Sequence, residues 1–149
     1  MAQTTTAFNA CDVSIWLDDS TNTLRELSGS SNSVEANFDH DIGEYVTFDS
    51  KWPNRLECGK DASFTLNIIC SETANEAWDI IKDWYFAASP GARTFRFYMP
   101  DKNVGSDRFS CEARIQNFTF TGDRSEPGPI MVTATLLPDG EVTHSDVAT

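Results

Sequence analysis

Residues 109–120 read Phe-Ser-Cys-Glu-Ala-Arg-Ile-Gln-Asn-Phe-Thr-Phe, and the placement of the apolar side chains in this stretch decides the fold class. Phe109, Cys111, Ala113 and Ile115 recur at every second position, the period of a strand buried on one face. Phe118 and Phe120 fall on the opposite parity. One extra residue near Gln116 and Asn117, a β-bulge, returns all six to one face.

The same period of two runs outward in both directions. Phe95, Phe97 and Met99 share a face in the strand before, which Pro100 ends. Ile130, Val132, Ala134 and Leu136 alternate with Thr133 and Thr135 in the strand after, closed by a Pro138-Asp139-Gly140 turn. Towards the N-terminus, Ala62, Phe64, Leu66, Ile68 and Cys70 form one apolar set, and Val34, Ala36 and Phe38 another. Cys11, Val13, Ile15 and Leu17 form the first set, with Asp12 and Ser14 opposite. The segments DDSTNT and SGSSNS read as connections, because short polar side chains there bond their own backbone.

One segment has the helical period. Thr73 and Glu76 have the spacing of a capping box, and behind them Ala77, Ile81, Trp84 and Ala88 fall on one stripe that Trp78 and Tyr85 widen. Pro90-Gly91 stops it. The pattern predicts a helix over residues 73–88 lying across the sheet. Six strand-like runs around one helix give a mainly β class: an antiparallel β-sandwich or partly open barrel with one flanking α-helix.

Length agrees with this. At 149 residues the chain is the size of one domain, residues 1–149, and can bury roughly two thirds of its unfolded surface without staples. Irregular pattern is confined to terminal arms, residues 1–9 and 140–149, and to residues 40–61. A loop of some 20 residues inside a compact domain is uncommon and usually functional. This one contains Tyr45, Val46, Phe48, Trp52 and Pro53, apolar surface that suits a protein contact.

The chain carries 23 acidic against 11 basic residues, a net charge of −12. That argues strongly against gripping a phosphate backbone, which needs clustered cations. Nine of the acids and one base lie in residues 1–50. No apolar run reaches the ~20 residues of a membrane span and the start lacks a signal-peptide pattern, so no membrane insertion and a cytosolic origin are expected.

No pattern for catalysis, cofactor or metal emerges, and none of these is expected. The two histidines, His40 and His144, lack evident partner sets. Asp101 to Glu112 has part of the spacing of a calcium loop, but Ser106 stands where that loop needs Gly, so it reads as a polar turn. The cysteines, Cys11, Cys58, Cys70 and Cys111, are far apart and read as buried free thiols. Of the tryptophans, Trp78 and Trp84 belong to the helix stripe and Trp16 to the polar face of the first strand.

The order of these parts resembles a tail tube protein (major tail protein) of a long-tailed bacteriophage. The resemblance covers nearly the whole chain: FNACDVSIWLDDSTNTLRELSGSSNSVEANF as opening strands, KWPNRLECGKDASFTLNII after the long loop, the helix ETANEAWDIIKDWYFAA, the strand TFRFYMP, and a closing pair ending PIMVTATLLPDGEV. It implies a structural, non-enzymatic homo-oligomer in the virion tail, assembled in the host cytoplasm as hexameric rings stacked into a tube. DNA passes through without specific binding, and the implied partners are other tail proteins: terminator, distal tail and tape measure.

Two other readings stand beside it. A tail terminator, connector or secretion-system tube protein shares the sandwich-plus-helix plan, and the tryptophans admit a carbohydrate-binding module. Under the tube reading, Glu35, Asn37, Asp39, Ser63, Thr65 and Asn67 share faces that would line the lumen. Phe8, Tyr45, Phe48, Trp52 and Pro53 would contact neighbouring subunits.

Overall fold

The computed structural model describes residue 7 and residues 9–122, 124–125 and 127–148. The strands are β1 (Ser14–Asp18), β2 (Leu24–Glu26), β3 (Ser31–Tyr45), β4 (Asn54–Ile69), β5 (Arg93–Met99), β6 (Asp107–Thr121), β7 (Met131–Pro138) and β8 (Thr143–Asp146). The helix α1 (Ala77–Phe86) connects β4 to β5. All strands join one antiparallel sheet in the order β2-β1-β5-β6-β7-β4-β3, with β8 beside the first residues of β6. The sheet curls without closing into a barrel. The curl brings Phe38 of β3 within 5.9 Å of Phe109 on β6, three strands away in the sheet order.

The bulge in β6 lies where the parity change demands it. Ile115 pairs with Leu136 and Asn117 with Thr135, so Gln116 is the extra residue. Phe118 and Phe120 then stand opposite the buried Ala134 and Val132, on the face that Cys111 and Ala113 bury. The core forms between this face and α1, around Phe64, Leu66, Ile68, Phe95, Phe97, Ile81 and Trp84. Its rings interlock, with Phe64 and Phe95 5.0 Å apart and Phe97 stacked on Phe109 at 4.7 Å.

The helix is shorter than its pattern predicts, beginning at Ala77, and the capping box does not form. Asn75 has φ 64°, a left-handed conformation that Asn tolerates but that cannot continue a helix upstream. Glu76 is the N-cap in extended conformation, and its carboxylate accepts from Ser71 instead. The Ala77 amide is capped from across the molecule by Ser30 Oγ at 3.1 Å. The buried stripe is Ala77, Ile80, Ile81 and Trp84, while Trp78 is half-buried and Tyr85 exposed. At the far end the Trp84 indole donates to the carbonyls of Pro90 and Gly91, both at 3.1 Å. No described helix is long and apolar enough to cross a membrane.

Three other expectations change. The first strand starts at Ser14, because Ala10–Asp12 form a 3-10 turn whose Cys11 amide donates to the Asn9 side chain at 3.0 Å. Part of the expected C-terminal arm is strand β8. Most of residues 40–61 is also strand, with β3 running to Tyr45 and β4 starting at Asn54. That leaves residues 46–53 as the connection. The ladder slips between His40 and Ile42, where Asp41 faces both Cys58 and Gly59.

The β1–β2 turn is organised by one carboxylate. Asp19 accepts from the Thr21 amide (2.8 Å) and hydroxyl (2.7 Å), the Thr23 amide (3.0 Å) and Arg25 Nε (2.9 Å). The Thr21 hydroxyl first, then Arg25, hold its carboxyl well below the usual carboxylate range. A depressed carboxyl stabilises the fold above its unfolded value near pH ~3.9 and loses that contribution as pH falls towards the folded value. Asp19→Asn should therefore melt below wild type at pH 7, with a gap that narrows below about pH 4. Thermal melts across that range check this, and a gap independent of pH contradicts it.

Candidate functional site

All six residues expected to line a lumen lie on one face of the β3–β4 ladder. Glu35 pairs with Thr65 and Asn37 with Ser63, while Asn67 sits opposite Ser33 and Asp39 opposite Asp61. The face continues across β7 through Thr135 and Thr133, and across β6 through Asn117 and Thr119. Hydrogen bonds run along it, from Thr133 Oγ1 to Asn67 Oδ1 (2.7 Å) and from Asn67 Nδ2 to Ser33 Oγ (2.9 Å). On its β3–β4 portion, up to the slip at Asp41, the charged groups are Glu35, Asp39 and Asp61, all acidic. Asp39 and Asp61 stand directly opposite, a like-charge pairing that destabilises a sheet. Asn37 Nδ2 donates to Asp39 at 3.1 Å and the Ala62 amide to Asp61 at 2.8 Å.

Beyond Phe38 and Ala62 the hairpin leaves the core behind, and every residue from Asp39 to Asp49 is exposed. The tip gathers Tyr45, Phe48, Trp52 and Pro53, four of the five residues expected between subunits. Phe8 lies outside the described residues. Phe48 is fully exposed, Trp52 is 80% exposed and Pro53 is half-buried. Ile42, Val46 and Leu56 add apolar surface that the sequence reading did not single out at Ile42 and Leu56. The turn is nevertheless structured: the Ser50 amide donates to Thr47 O (3.2 Å), Ser50 Oγ to Trp52 O (2.8 Å) and Arg55 to Glu44 (2.9 Å). A fully exposed large apolar side chain forgoes about 1.5–3 kcal/mol that burial would supply. The tip thus has the composition of an interface held away from its own domain.

No protein-family model and no curated protein sequence matches the chain. Solved structures do match. The tail of an empty gene transfer agent particle, refined with C6 symmetry, superposes with a TM-score of 0.73 over 93% of this chain and 99% of that one, at 14% identity. The SPP1 tail tube gives 0.73 over 96% and 81% at 13% identity. The tube-terminating cap of the anti-feeding prophage gives 0.74 over 98% and 95%, also at 13%. The fold is that of tail tube proteins.

The tail-tube fold carries a second exposed apolar surface that sequence reasoning missed. Phe118 lies 4.9 Å from Tyr85, 5.7 Å from Trp78 and 5.9 Å from Phe86, where α1 crosses β6. Phe86 is 70% and Phe120 62% exposed. Ile69, at the end of β4 remote from the tip, pairs with Met131, which pairs with Thr121 beside Phe120. The two apolar surfaces therefore lie toward opposite ends of the sheet, with most of the 16-residue β4 running between them.

All four cysteines are free, but Cys11 and Cys58 are exposed, against the expectation of burial. Burial pushes the Cys111 thiol up to about 11, with Glu112 adding to the shift, and raises that of Cys70. His144 has a partner after all, Asp107 Oδ1 at 2.8 Å, and with Asp146 the three place potential ligand atoms within 4.8 Å of one another on the surface where β8 meets β6. Asp101 accepts from the Asn103 amide (2.9 Å) and Ser106 Oγ (2.8 Å), closing a polar turn. Trp16 donates to Ser14 Oγ at 2.8 Å under Lys102, and Trp84 is buried. No two exposed tryptophans among the described residues form the platform that sugar stacking needs.

Proposed function

We propose that the chain is a structural subunit that assembles into hexameric rings, stacked as the hollow tail tube through which DNA passes into the host. The observation that carries this reading is the β3–β4 hairpin. Two long strands project beyond their own core and end in exposed Phe48 and Trp52, an arrangement whose apolar surface suits burial against another subunit. Support for ring closure comes from the edges: among the described residues no strand pairs with the outer side of β3 along its 15 residues, and the short β2 ends the strand order on the opposite side. Pairing such edges between copies extends the sheet around a ring and removes an aggregation hazard.

In that ring the polar face of β3, β4, β7 and β6 lines the lumen. Its acids repel phosphates within about 8–10 Å at physiological salt, a layer that keeps DNA from adhering. The subunit would act in the virion tail after assembly in the host cytoplasm, capped and based by other tail proteins. Glu35→Lys combined with Asp39→Lys should still form tubes, because both side chains are exposed and neither anchors the core. Those tubes should retain DNA and slow or arrest its ejection. Free passage through the doubly reversed tubes would remove the acids from the lumen wall.

A second reading is a secretion-system tube protein. The sheath-tube complex of an extracellular contractile injection system is as similar in fold, with a TM-score of 0.72 over 97% of this chain. DNA inside tubes isolated from producing cells supports the first reading, and protein cargo the second.

A further inference from the structure

We infer that the aromatic surface of Tyr85, Phe86, Phe118 and Phe120 is the receptor for the β3–β4 tip of a second copy of this chain. The inference rests on the tube reading above and assigns the receiving side of the contact between stacked rings.

Position supports it first. The tip and the aromatic surface lie toward opposite ends of one sheet, so joining them between copies makes a head-to-tail contact that repeats along an axis without closing on itself. Charge supports it next. Two copies carrying −12 each must meet where their acids are sparse. The tip, residues 46–53, holds only Asp49 and Lys51, and α1 holds Asp79 and Asp83 with Lys82. Lys82 lies 3.8 Å from Asp79, and Asp83 is exposed, an acid that Lys51 can approach. Size is the third support. The exposed parts of these aromatic side chains sum to on the order of 500 Å² on each copy. A single contact of that area is weak, and repetition around a ring makes it strong. Free subunits then stay soluble while complete rings stack.

The test places a photoreactive benzoylphenylalanine at Trp52 in one preparation and at Phe86 in another, followed by assembly, irradiation and mass spectrometry of the cross-linked peptides. Cross-links between copies are expected from position 52 to peptides containing Tyr85, Phe86, Phe118 or Phe120, and from position 86 to residues 46–53. As a separate readout, Phe86→Ser with Phe120→Ser should raise the concentration needed for tube formation by more than about tenfold, as loss of two anchoring aromatics does. Its melting temperature should stay near wild type. Tubes whose cross-links from both positions fall elsewhere overturn the receptor assignment alone. Failure of the wild-type chain to form rings or tubes overturns the tube reading and this inference with it.

Discussion

Replacing Phe48 and Trp52 together by Ser is expected to abolish tube formation while leaving the domain folded. Neither side chain contributes to the monomer's core, and substitutions at such exposed positions usually change stability by no more than about 0.5 kcal/mol. In an interface the same two aromatics are of the type that supplies about 2 kcal/mol or more each. Every subunit in a ring loses that contribution at once, so the deficit is multiplied by the ring's copy number. Circular dichroism should give a wild-type spectrum and melting temperature, and negative-stain microscopy should show no tubes. Deleting Lys51 to Asn54 should have the same effect. Normal tubes from the double Ser variant would remove the hairpin tip from the assembly mechanism.

The opposite result is expected for Trp84→Ala, which should destabilise the domain itself. Trp84 is fully buried between α1 and the sheet, its indole donates to Pro90 and Gly91, and the Arg93 guanidinium lies 5.3 Å over its ring. Truncating a buried Trp costs about 3–5 kcal/mol, a large share of the 5–15 kcal/mol that holds an ordinary domain together. In a chain of this length that is a fall of roughly 6–20 °C in melting temperature. Tyr85→Ala, one residue along and on the exposed side, should move it little. Equal melting temperatures for the Trp84 and Tyr85 variants would show that α1 does not close the core through the stripe described.

Where a segment is buried on one face, its sequence is legible. The parity change in β6 specified a bulge near Gln116 and Asn117, because the apolar residues on either side of it share one face, and the extra residue is Gln116. The polar face of β3 and β4 followed from the same parity, since Glu35, Asn37 and Asp39 had to oppose Val34, Ala36 and Phe38. The distal hairpin was illegible for the complementary reason. With no core on either side, Ile42, Tyr45 and Leu56 mix with His40, Glu44 and Arg55, and no alternation survives. β2 and β8 are too short, at three and four residues, to show a period. The Thr133–Asn67–Ser33 hydrogen bonds join residues 66 and 34 positions apart, a juxtaposition that only the strand order supplies. The aromatic surface on α1 likewise depends on where the helix crosses β6, which periodicity within the helix does not encode.

Cryo-electron microscopy of the wild-type chain, concentrated until it assembles, tests the central claim most directly. The account predicts stacked rings of six subunits, the β3–β4 tips of one ring seated on the next, and Glu35 and Asp39 facing a continuous lumen. Monomers that persist at high concentration, or tubes that carry Glu35 and Asp39 on their outer wall, would contradict it.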